Sequence, residues 1–201
     1  GINRSVVDLM DAKATIDFIS KAKPSLIIDA AAKVGGIGAN NSFPVEFLVD
    51  NLTIQSNLMA AAHKAGVPNF VFLGSSCIYP RDCAQPIKEE YLMTGPLEET
   101  NSAYAIAKIA GIELINSYRK EYGTQWISLM PTNLYGPRDN FDLKSGHALP
   151  AMIHRFHIAK LQGSPVVEIW GDGTALREFL HVEDLARASL MLLENWVLKK
   201  E

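Results

Sequence analysis

Two short runs hold side chains able to move protons. In YAIAK, Tyr104 and Lys108 stand four residues apart, which on a helix puts both on one face with β-carbons about 5–6 Å apart. A phenol has a reference pKa of about 10, and a nearby ammonium is expected to lower it by stabilising the phenolate. The pair would then serve as an acid/base at a carbonyl. Tyr-x-x-x-Lys also arises on ordinary solvated helix faces, so context decides. LGSSCIYP, Leu73 to Pro80, supplies it: an apolar run from Asn69 ends abruptly in Ser75, Ser76 and Cys77. A thiolate is a base suited to neutral pH, although a free cysteine at a strand end is also commonly a small core residue.

Alternating helical and strand-like segments predict the frame for these residues. Helices are expected at 12–22, 44–65, 102–121, 147–162 and 182–196, and strands at 25–32, 69–73, 125–130 and 166–170. SLIIDAAA (25–32) is nearly all apolar, as in a strand covered on both faces. Pro44 opens the second helix and Gly66 stops it. Small residues at 103, 105, 107, 110 and 111 suit close packing of the third helix and would let a flat cofactor approach it. The order β-α-β-α-β-α-β predicts an α/β fold with a doubly wound parallel sheet, because parallel neighbours require crossover connections. In such sheets ligands bind beyond the carboxyl ends of the strands. Those ends read AAAKVGG, GSSC and PTNLYGP, small and polar on a common rim.

The totals bound the partners. At 201 residues, 48% hydrophobic and 20% charged, with a net charge of −3, the chain has an ordinary globular composition. It gives no electrostatic reason to expect nucleic acid or an anionic membrane. Cys77 and Cys83 do not form the framework of a secreted scaffold, and no signal peptide or long apolar run is seen, which points to the cytoplasm. A disulfide between the two is the alternative. No metal site is expected.

Ser75, Tyr104 and Lys108, in this order, resemble the catalytic triad of the extended short-chain dehydrogenase/reductases. The strings AAAKVGGIGANN, LGSSCIYP, YAIAKIAG, MPTNLYGPRDNF and REFLHVEDLA are similar to the branch of that superfamily that epimerises and reduces GDP-4-keto-6-deoxymannose. The resemblance implies a Rossmann-like fold, NADP(H) as cofactor, a nucleotide-sugar substrate and a homodimer formed through the helices at 44–65 and 102–121. It implies catalytic roles for Ser75, Cys77, Tyr104, Lys108 and His147, with Cys77 and His147 exchanging protons on either side of the keto group. Cofactor contacts are implied for Asp8 and Leu9 beside the adenine and for Leu73, Gly74, Ser75, Ser76, Tyr104, Lys108 and His147. Pro131, Thr132, Asn133 and Leu134 match the nicotinamide side, and Arg155, Trp170 and Arg177 match the substrate site. Guanidinium groups suit a pyrophosphate because they offer paired donors. Read by itself, Asp8 could instead be a helix-start residue, His147 likewise, Arg155 part of a solvated face and Trp170 core.

The superfamily's glycine-rich turn is not found in this stretch; VGGIGANN follows a strand but its glycines are spaced wrongly for it. The chain is therefore expected to be a piece of a longer protein, with residues 1–135 part of a cofactor-binding domain and 136–201 part of a substrate region. The strand at 25–32 would then be an unprotected edge prone to self-association. Another sugar-nucleotide epimerase or dehydratase, and a silent nucleotide-sugar-binding module, are the competing functions.

Overall fold

A computed structural model describes residues 1–201 except Lys144, Trp170 and 198–201, and the backbone alone at 196–197. Its chain forms two compact units, residues 1–34 with 43–130, and residues 35–42 with 131–201.

In the first unit, three parallel strands lie in the order β1 (Leu26–Asp29), β2 (Asn69–Leu73), β3 (Ile127–Leu129). Helices α1 (Ala12–Ala22), α3 (Pro44–Lys64) and α4 (Ser102–Tyr122) pack around one buried cluster, α3 lying against both of the others. Asp11 caps α1 by accepting the Ala14 N–H. Along β2 the side chains alternate, so Phe70 and Phe72 enter the same cluster as Ile19, Leu58, Met59, Ile112 and Ile115. Trp126 stacks on Phe70 and Tyr118 and donates its indole N–H to the Val67 carbonyl, fixing the entry to β3.

The seating of α4 depends on one glycine. A β-carbon on Gly111 would lie 2.4 and 2.6 Å from two atoms of the Phe72 ring and 2.9 Å from the Gln55 amide oxygen. Gln55 also donates to the Ala107 carbonyl at 2.7 Å. Ala105, Ala107 and Gly111 are buried, so these three serve helix packing, while Ala103 and Ala110 are half-buried.

In the second unit, β4 (Asn133–Tyr135) pairs in parallel with β5 (Phe179–His181). Around them are α2 (Ile37–Ser42), α5 (Ala148–Gln162) and α6 (Val182–Leu192), the last continuing into a π turn at Leu193–Val197. Parallel strands joined through helices make the chain α/β and Rossmann-like.

Several expected elements differ. β1 ends at Asp29 because that side chain accepts the Ala31 N–H in a tight turn. β1 is the outermost of the three strands described, and Ile28 on it is 44% exposed. The strand expected from Val166 has no ladder partner over 166–169 among the described residues, and Trp170 lies outside them. The pairing partner of β4 is instead β5, a stretch with no strand-like run long enough to stand out. Asn40 holds the short α2 by donating to the Gly35 and Gly36 carbonyls.

Alanine normally stabilises a helix interior by about 1 kcal/mol over glycine. Gly111→Ala is expected to do the opposite, lowering unfolding free energy in urea by about 1–3 kcal/mol through overpacking against Phe72.

Candidate functional site

Parallel pairing places the carboxyl ends of β1, β2 and β3 on one edge. After β2 the Gly74 N–H donates to the Leu129 carbonyl at 2.7 Å, and the chain enters a 3-10 turn at Ser76–Ile78. Ser75 caps that turn: its backbone is extended and its Oγ accepts the Cys77 N–H at 3.3 Å. α4 packs against the turn, and the Ser75 side chain is near enough to the Tyr104 phenol to favour its ionisation. The edge of Phe47, on α3, supports the Tyr104 ring at 6.4 Å between centroids. Cys77 and Cys83 are partly exposed free thiols, and the charge of Cys77 is felt at Tyr104. Serine, thiol and phenol are thus brought together.

Lys108, one turn beyond Tyr104, is 4% exposed. Its Nζ donates to the Leu73 carbonyl at 2.8 Å and lies 4.6 Å from the centre of the Phe72 ring and 5.8 Å from that of Tyr104. The phenol is pushed up to about 12, chiefly by burial, with the Cys77 charge adding and the nearby Ser75 side chain opposing. The lowering expected from Lys108 is not found. The ammonium is engaged by a carbonyl on the strand, and desolvation of the phenolate dominates. Tyr104 is therefore poised as a proton donor.

Asp29 completes this arrangement and was not anticipated. It stands opposite Phe72 in the β1–β2 register, is 2% exposed, and its Oδ2 is buried without a hydrogen-bond partner among the described residues. Burial pushes its carboxyl up to about 6, against the pull of the Lys108 charge and the Ala31 N–H. Burial likewise lowers Lys108, opposed by Asp29. The available signal was a lone acid within an otherwise apolar strand.

Other expected contacts are placed variously. Asp8 accepts the Met10 N–H and pairs with Arg4 at 3.1 Å; these two interactions hold its carboxyl below the usual value. Asn57 of α3 donates to the Leu9 carbonyl at 2.8 Å. In the second unit, Thr132 and Asn133 both donate their side chains to the Glu178 carbonyl at 3.0 Å, while Pro131 and Leu134 flank them. His147 is the exposed N-cap of α5 and makes no capping side-chain hydrogen bond. Half-buried Arg155 helps line a groove of about 310 Å³ with Ile158, Gln162 and Glu168. Arg177 is exposed and donates to the Leu176 carbonyl at 2.7 Å. Trp170 lies outside the described residues. Among those residues no group of acids, histidines and cysteines forms a metal site, and no helix is long and apolar enough to cross a membrane.

Comparison with known proteins places this geometry in context. Residues 3–200 match the model of the NAD dependent epimerase/dehydratase family. A GDP-L-fucose synthase of Sinorhizobium fredii is 51% identical over 194 residues, 96% of this chain and 62% of that protein. The Escherichia coli GDP-L-fucose synthase is 50% identical over 191 residues, 95% and 60% respectively. The solved structure of a GDP-L-fucose synthetase from Naegleria fowleri bound to NADP superposes with a TM-score of 0.85 at 34% identity, covering 96% of this chain and 63% of that one. The chain thus spans about three fifths of the length of these curated relatives.

Two measurements test the electrostatics. In an ultraviolet titration, subtraction of the Tyr104→Phe trace is expected to give a phenol ionising at about 12; replacing Cys77 by alanine is expected to move it down. For Asp29 the folded value lies above the unfolded one, so the folded state holds its proton more firmly. Stability is then present at acid pH and falls as pH rises from about 4 through about 6, by about 3 kcal/mol for this group. Urea unfolding of Asp29→Asn at several pH values is expected to lack that part of the decline.

Proposed function

The chain belongs to the NAD dependent epimerase/dehydratase family, and from that premise we propose that the protein containing it converts GDP-4-keto-6-deoxymannose to GDP-L-fucose. The conversion is a 3,5-epimerisation followed by NADPH-dependent 4-reduction. The observation that carries this reading is the seating of Cys77 beside the Ser75–Tyr104 pair at the end of β2. Reduction of a ketone needs a proton donor and a hydride source; it has no use for a thiol. Inversion at the carbons flanking a ketone does require a base for an acidic C–H proton and an acid on the opposite face.

The strand-end rim fits the nicotinamide half of NADP(H). Lys108 spends one N–H on Leu73, the only hydrogen bond it makes among the described residues, and its remaining donors suit ribose hydroxyls. Leu73, Gly74, Ser75 and Ser76 form the rim itself, and Pro131–Leu134 are assigned to the carboxamide side. When bound, NADPH supplies the hydride that reduces C4. The relative from Naegleria fowleri bound to NADP supports this choice of cofactor.

The roles of the side chains follow from their chemistry. Ser75 and Tyr104 hydrogen-bond the keto oxygen and stabilise the enolate that forms when a neighbouring proton leaves. Cys77 exchanges the proton at one flanking carbon, and His147 is assigned the complementary exchange. After epimerisation Tyr104, protonated because it is buried, donates to the C4 oxygen as the alcohol forms. Arg155, Trp170 and Arg177 are assigned to the GDP-sugar. A working free thiol suits a reducing compartment, the cytoplasm.

The division of labour is tested with the full-length protein in deuterated water. Cys77→Ser is expected to slow deuterium incorporation at C3 or C5 by about 10²–10⁴-fold, while already epimerised keto sugar is still reduced within several-fold of the wild-type rate. Tyr104→Phe is expected to lose NADPH consumption by a similar factor and keep measurable exchange. Wild-type exchange in Cys77→Ser, or no NADPH consumption by the unaltered enzyme, would overturn the assignment.

A further inference from the structure

Asp29 has no part in the mechanism above, yet it is a buried acid whose charge is felt at Lys108. We propose that it is a positioning residue: a buried counter-charge that keeps the Lys108 ammonium protonated and held at the Leu73 carbonyl, beside the Tyr104 phenol. The inference rests on reading Tyr104 and Lys108 as that pair.

The register of β1 on β2 sets Asp29 opposite Phe72, and the Lys108 ammonium lies over the ring of that same Phe72. Both charged groups are almost fully buried. A lysine so far from water sheds its proton unless something replaces hydration. The Leu73 carbonyl and the Phe72 ring supply part of that, and neither bears a charge. Among the described residues, the ionisable groups facing the ammonium are Asp29 from β1 and Tyr104 from α4 itself, with Cys77 from the turn after β2 acting on the phenol. The last two are neutral or negative only on losing a proton. Asp29 supplies the opposite charge that favours the protonated amine.

A purely structural role explains less. One carboxyl oxygen, Oδ1, ends the strand by accepting the Ala31 N–H, which an asparagine amide oxygen would do equally well. The other, Oδ2, is buried with no hydrogen-bond partner among the described residues. As an anion the group destabilises the fold, since burial disfavours its ionisation. A residue kept for packing or for the turn alone gains nothing from that charge; a residue kept for Lys108 does.

The test separates charge from turn. In the full-length enzyme, Asp29→Asn is expected to shift the alkaline limb of kcat for reduction to lower pH, with about a tenfold loss on that limb, while the melting temperature near neutrality is kept or raised. A lowered melting temperature with an unshifted pH profile would identify a structural residue and overturn the proposal. Independently of activity, carbon-13 NMR of the Asp29 carboxyl is expected to give a midpoint near 6 that rises in Lys108→Met. An unchanged midpoint would overturn the coupling. A raised midpoint in a protein that reduces no 4-keto sugar would keep the coupling and overturn the proposed function instead.

Discussion

The contact between Gly111 and the Phe72 ring sets the depth at which α4 lies on the sheet. That depth determines whether Lys108 reaches the Leu73 carbonyl and whether Tyr104 reaches Ser75 at the end of β2. Phe72 therefore does three things at once. It fills the core, it gives Lys108 a π face, and it stands opposite Asp29 in the neighbouring strand. Packing at protein density transmits small displacements, so a single methyl group at position 111 acts on chemistry several residues away.

Desolvation is the common cause of the unusual electrostatics. It holds the Tyr104 proton on, loosens the Lys108 proton, and makes Asp29 reluctant to ionise. Burial opposes the charged form of both the amine and the carboxyl, and their mutual attraction offsets this in part without a direct salt bridge between them. Such a pair contributes little to holding the fold together, because the desolvation of both charges offsets their attraction. Its use lies in fixing the state of a functional group, which is where proteins tend to retain locally unfavourable features.

Much of this was legible in the residues. Pro44 and Gly66 bracket α3 nearly where expected, the apolar run at 69–73 is β2, and Gly123 ends α4 one residue beyond the expected helix. The seating of serine, thiol and phenol was likewise foreshadowed by GSSC and YAIAK. What escaped depends on partners distant in sequence. β4 and β5 have three residues each and exist through their pairing. The run from Val166 has strand-like composition without a ladder over 166–169 among the described residues. The direction of the Tyr104 shift turned on burial, which spacing alone does not report. His147 and Arg155 remain positions assigned by pattern, their surroundings being an exposed helix start and an open groove.

The grouping of residues 35–42 with 131–201 means that the polypeptide crosses between the two units near 34, again near 42 and finally near 130. No single cut can then separate them: a chain ending at 130 keeps α2 but loses what α2 packs with, including the Ser145 carbonyl that accepts the Gly36 N–H. The triple passage ties the fate of each unit to the other during synthesis, since the early α2 must wait for a partner made about a hundred residues later.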